Sequence, residues 1–134
     1  MKSNNLPHEL PPMEKSFQIE VSGGFTKKRF VGDFTCRIPN IKDQCLIEKH
    51  RAFLNGDMVN QLPPGVLKTH QMIAYLRYTL TEYPKFWKDS DLGYELRDLN
   101  VIEDIYNKVL EFEESWMAQV WGDDREEAPN EKEK

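Results

Sequence analysis

Apolar and polar residues change period partway along the chain. From Phe17 to Ile38 they alternate, as in a strand with one buried face. From Ile41 to Trp121 apolar residues recur every three or four positions, as in helices. The switch falls at Arg37-Ile38-Pro39-Asn40. This pattern predicts an α+β fold, mostly α, in which an N-terminal antiparallel β-hairpin precedes a body of three main helices.

Phe17, Ile19 and Val21 alternate with Gln18, Glu20 and Ser22; on the return, Phe30, Gly32, Phe34, Cys36 and Ile38 hold the apolar positions. A tight turn at Gly23-Gly24 would oppose Ile19 to Lys28 and Val21 to Thr26. A turn around Thr26-Lys27 pairs Phe17 with Cys36, Ile19 with Phe34 and Val21 with Gly32, and leaves Ser22-Gly23-Gly24 as a bulge or bend. Burial sets register more strongly than turn preference, which favours the longer hairpin. An isolated hairpin is marginal in water, so its apolar face needs the helices or another chain. Its free edges make a homo-oligomer through the hairpin a further expectation.

Asn40 reads as a helix N-cap with Asp43 reaching back to it. The first helix carries Ile41, Cys45, Leu46, Ile47, Ala52, Phe53 and Leu54 and stops at Asn55-Gly56. The second runs from about Val66 to Tyr83, with Val66, Ile73, Leu76, Leu80 and Tyr83 on one stripe, and ends at Pro84. Pro84 to Arg97 reads as an irregular connector. Asp98 then caps a last helix whose stripe is Ile102, Ile105, Val109, Phe112, Trp116 and Val120. Glu103, Asp104, Lys108, Glu111, Glu113 and Glu114 form its solvated outer face.

The ends lack this periodicity. Residues 1–15 hold Pro7, Pro11 and Pro12 and read as a flexible arm; 122–134 reads as an acidic, disordered tail. Between them 16–121 forms a single domain, with the hairpin at 16–38 and the helical body at 40–121.

A net charge of −5 makes duplex nucleic acid a poor partner, and Lys27-Lys28-Arg29 reads as protective charge at the hairpin tip. Cys36 and Cys45 fall on apolar faces, as buried free thiols do. No secretory signal and no apolar run of membrane-spanning length is visible, which points to the cytoplasm and away from a membrane. His8, His50 and His70 have no second ligand at helical spacing, and Cys36, Cys45, His50 and His70 match no compact zinc pattern. No serine sits in a nucleophile elbow. The expectation is a protein that is not an enzyme and uses no cofactor.

The strand Phe30-Val31-Gly32-Asp33-Phe34-Thr35-Cys36-Arg37-Ile38-Pro39 leads into a helix. A second helix ends at Tyr83-Pro84-Lys85-Phe86-Trp87, and the last begins Asp98-Leu99-Asn100-Val101. In this order of parts the chain resembles the tail assembly chaperones of long-tailed bacteriophages, over roughly Phe17 to Trp121. The resemblance implies a non-enzymatic protein of the infected host cytoplasm. It would bind the tape measure protein and help recruit tail tube protein during tail morphogenesis. It also makes the polar tail a natural junction for a longer, frameshifted form. The alternative is a virion structural protein, such as a head–tail connector or minor tail protein, whose hairpin locks into a neighbour.

The family supplies no short signature to carry over, so candidate contacts come from physics. A client-holding surface needs exposed apolar side chains kept soluble by surrounding charge. The candidates are Phe86 and Trp87 on the connector and Trp116, Met117 and Trp121 near the end of the last helix. Met117 and Trp121 lie off the main stripe and are expected to be the most exposed.

Overall fold

The computed structural model describes residues 9–133, with side chains described through residue 122. Strands β1 (Glu14–Ser22) and β2 (Arg29–Arg37) form the antiparallel hairpin. A third strand, β3 (Leu80–Glu82), pairs antiparallel with β2, giving the sheet order β1-β2-β3. One face of the sheet buries Ile19, Phe30, Phe34 and Cys36. The other shows Gln18, Glu20, Val31 and Asp33 to solvent.

The hairpin register differs by two residues from the one the sequence favours. Phe17 faces Phe34, Ile19 faces Gly32 and Val21 faces Phe30. Because side chains alternate with a period of two, this shift leaves the buried set unchanged. Ser22 pairs regularly with Arg29, and Gly23 and Gly24 lie in the connecting loop rather than in a bulge within the strand. Gly23 N–H donates to the Lys28 carbonyl at 2.7 Å, and Lys27 N–H donates to the Gly23 carbonyl at 3.0 Å. Lys27 closes this short loop with φ of 63°, a left-handed conformation.

Helix α1 (Ile41–Asn55) starts with the expected reciprocal cap: the Asp43 amide donates to Asn40 Oδ1 at 2.8 Å, and the Asn40 amide donates to Asp43 Oδ2 at 3.0 Å. The buried Asp43 also accepts from Arg37 Nη2 at 2.7 Å, and Arg37 donates to the Tyr78 carbonyl at 3.3 Å. This pair joins the end of the hairpin to both neighbouring helices. α1 packs against α2 (Pro64–Thr79) through Ile47 and leaves Ile41, Cys45 and Phe53 exposed. Cys45 is therefore a surface thiol, contrary to its apolar neighbours in sequence, because α1 has a covering element on one side only.

α2 ends four residues before the expected Tyr83. Pro84 disfavours helix at Tyr83, and Thr79 and Thr81 are β-branched residues suited to a strand. Leu80 turns to extended backbone (φ −84°, ψ 125°), and β3 begins there. On the outer face Thr35 accepts from the Ser16 hydroxyl at 2.8 Å and donates to Glu82 at 3.0 Å, linking all three strands. The connector contains a short helix, α3 (Lys85–Asp89).

α4 (Leu99–Glu133) lies across the buried face of the sheet beside α2. Its Val101, Ile102, Ile105, Tyr106 and Val109 complete a core with Met72, Ile73 and Leu76 of α2 and Trp87 of α3. The hairpin thus packs inward on the chain's own helices. The segment expected to be a disordered tail stands in α4 up to Glu133, and its side chains from residue 123 lie outside those described. Part of the expected arm is fixed to the body: Met13 accepts from the Ile38 amide at 2.9 Å, and Pro11 accepts from Trp116 Nε1 at 3.2 Å. The remainder, 1–8, lies outside the described residues.

Candidate docking surface at the end of the last helix

The apolar stripe of α4 is longer than the sheet that covers it. Ile105 and Val109 are fully buried, Phe112 and Trp116 are partly covered, and Val120 is exposed. Beside the stripe, Met117 is 44% and Trp121 51% exposed. The arm supplies Leu10 and Met13, also half exposed, and a shallow groove of about 250 Å³ runs between Pro11, Pro12, Phe112 and Trp116. Trp116 thus packs with the arm, while Met117, Val120 and Trp121, at helical spacing, form an exposed apolar group further along α4. Glu111 and Glu114 stand exposed beside it.

Phe86 and Trp87 do not join this surface. Trp87 is 1% exposed, edge-on to Phe34 with ring centroids 5.8 Å apart. Gly93, at φ +92°, closes over the indole: a Cβ there would lie 2.4 Å from Trp87 Cη2. Phe86 is partly buried against Phe30 and Phe34, at 5.1 and 6.1 Å between centroids. The connector is closed onto the sheet, so Trp87 is core and unavailable to a partner.

A larger open cleft of about 600 Å³ lies near the hairpin tip, lined by Lys28, Phe30, Lys85, Phe86, Arg97 and Asp98 among others. Two of its carboxylates are already engaged. Asp89 pairs with Lys85 at 2.7 Å. Asp98, expected to cap α4 with its side chain, turns to the tip instead. It accepts from the Phe25 amide at 2.7 Å and from the Thr26 amide and hydroxyl at 2.8 and 2.5 Å. The Thr26 hydroxyl, aided by the two amides and Lys27, holds the Asp98 carboxyl below its ordinary range against the opposing effect of burial.

Asn100 completes this clamp. It accepts from the Gly24 amide at 2.8 Å and donates to the Ser22 carbonyl at 2.9 Å. Gly23 permits the approach, since a Cβ there would lie 2.3 Å from Asp98 Cγ. Replacing Asp98 with alanine is expected to leave the body folded and to release the tip. Hydrogen exchange should show faster exchange of the Phe25 and Thr26 amides, with α2 amides unchanged.

The clamp presents Phe25, 76% exposed, beside Lys27, Lys28 and Arg29. Hydrophobic spacing does not single out Phe25, although a phenylalanine between Gly24 and Thr26 in a turn is itself a signal. The same spacing puts Glu113 on the solvated face. In the structure Glu113 Oε2 is buried without a hydrogen-bond partner. Burial pushes this carboxyl up to about 7. Burial, together with the Glu113 charge, pushes the neighbouring Cys36 thiol up to about 11.

His70 bridges two loops: Nδ1 bonds Asn55 Oδ1 at 2.8 Å and Nε2 faces Tyr94 Oη at 3.2 Å. The Asn55 oxygen requires Nδ1 to donate, and burial lowers the pKa of the ring, favouring the neutral form in which Nε2 accepts from Tyr94. Among the described residues, no group of three or more His, Cys, Asp or Glu side chains is placed to hold a metal ion. None of the helices searched is long and apolar enough to cross a membrane. Compared with known proteins, the chain matches no family model, no curated protein and no solved structure.

Proposed function

We propose that this chain is a non-enzymatic tail assembly chaperone of the long-tailed bacteriophage type, acting in the cytoplasm of an infected host. It holds the tape measure protein through the end of α4 and helps recruit tail tube subunits. The observation that carries this reading is the exposed group of Met117, Val120 and Trp121 on a helix whose earlier turns are buried. Contiguous apolar side chains of this kind, rimmed by charge, mark a partner surface. A helical client can lay its own apolar stripe along them, as in helix-in-groove recognition. The inward packing of the hairpin weighs against the alternative, a virion component that locks through strand exchange.

Co-expression with a tape measure fragment tests the reading. The wild-type chain is expected to keep the fragment soluble and to co-elute with it on size exclusion. The Met117→Ser/Trp121→Ser variant, with an unchanged circular dichroism spectrum, is expected to lose at least about tenfold in affinity, as hot-spot aromatics do. Equal binding by the variant, or precipitation of the fragment beside the wild-type chain, would count against it.

A further inference from the structure

Two of the exposed aromatic groups, at Phe25 and at Trp121, sit far apart along α4 and stand beside opposite charge. At the N-terminal end, Asp98 and Asn100 hold the hairpin tip, where Phe25 projects beside Lys27 and Lys28, Arg29 being paired with Glu20. Toward the C-terminal end, Met117, Val120 and Trp121 are exposed. Glu111 and Glu114 stand exposed on the same stretch of helix. We infer that the hairpin tip of one copy docks onto the α4 end of a second copy, head to tail.

Apolar character and charge match across this contact. Phe25 meets the side chains of Met117 and Trp121, and the tip cations face Glu111 and Glu114. The clamp lowers the ordering cost, because four hydrogen bonds from the tip, three to Asp98 and one to Asn100, already fix the backbone around Phe25. One copy cannot satisfy both surfaces itself. From Asn100 to Trp121 the helix axis advances by about 30 Å at about 1.5 Å per residue. The contact joins two different patches, so it is heterologous and propagates into a chain or ring rather than ending at a dimer.

One loop against one helix end buries little area, which places the contact in the weak class, with Kd on the order of 100 μM. Its electrostatic share is screened as salt rises. The α4 surface is the one assigned above to a client, so a bound client would cap the assembly. The inference shares that surface but does not depend on who the client is.

Sedimentation velocity on the full chain at low salt tests it. The wild type is expected to grow in mean mass with concentration, and to lose about tenfold in association at high salt. Phe25→Ala/Lys28→Glu removes the tip, and Met117→Ser/Trp121→Ser removes the α4 end; each variant alone is expected to remain monomeric. Mixed together, they should form a one-to-one dimer and nothing larger, since each retains the surface that the other lacks. The tip variant should still hold a tape measure fragment, which separates failure of this contact from failure of the client reading. A wild type that stays monomeric across the range would overturn the inference. So would self-association untouched by the tip variant, which would mean pairing of α4 with α4.

Discussion

Trp87→Ala is expected to destabilise the fold by about 3–5 kcal/mol, the range for emptying a buried aromatic site. Trp121→Ala should change stability by less than about 0.5 kcal/mol, as substitutions at exposed positions do. Both are tryptophans on helices, and the difference lies in what covers them. Trp87 is closed between Phe34 and Gly93, and the surrounding core is too well packed to collapse into the vacated volume. The loss is a large fraction of the 5–15 kcal/mol typical of whole domains. Thermal unfolding should therefore show the Trp87 variant melting at least about 10 °C lower. A Trp87 variant as stable as wild type would mean that the connector does not close the core.

Glu113→Leu should stabilise the protein at pH 8 and have little effect at pH 4. The folded-state carboxyl titrates near 7, raised by burial from its ordinary 4.5. Below about 4.5 both folded and unfolded chains hold the proton, so ionisation carries no penalty. Between 4.5 and 7 the unfolded chain releases its proton and the folded chain keeps it, so stability falls as pH rises. Above 7 the folded state holds an unpaired, partly buried charge. Allowing for its partial exposure to solvent, the gain on removing it is about 1–2 kcal/mol at pH 8.

His70 works in the opposite direction. Its lowered pKa means that stability is lost as pH falls below 6.5. The difference between wild type and Glu113→Leu cancels that contribution and isolates Glu113. Urea melts across this pH range provide the check; a difference independent of pH would show that Glu113 is solvated when folded.

What the sequence revealed and what it hid follow from locality. The Asn40–Asp43 cap was readable because both partners lie within one turn. The buried face of the hairpin was readable because parity survives a two-residue shift; the register was not, because burial cannot tell registers of equal parity apart. β3 was hidden because Leu76, Leu80 and Tyr83 continue a helical spacing into residues that pair with a distant strand. Asp98 looked like an ordinary cap because its actual donors lie more than seventy residues away. Glu113 looked solvated because the element covering it lies far away in sequence. The surface at Met117 and Trp121 was legible because those residues lie off the stripe, whereas Trp87 is set apart only by the fold around it.

The most direct test of the docking surface is hydrogen exchange of the chain alone and in complex with a tape measure fragment. Slowed exchange is expected at about 110–122 and in the arm at 9–13, with the solvent face of β1 and β2 unchanged. Protection confined to that sheet face, with exchange at the end of α4 unaltered, would contradict it.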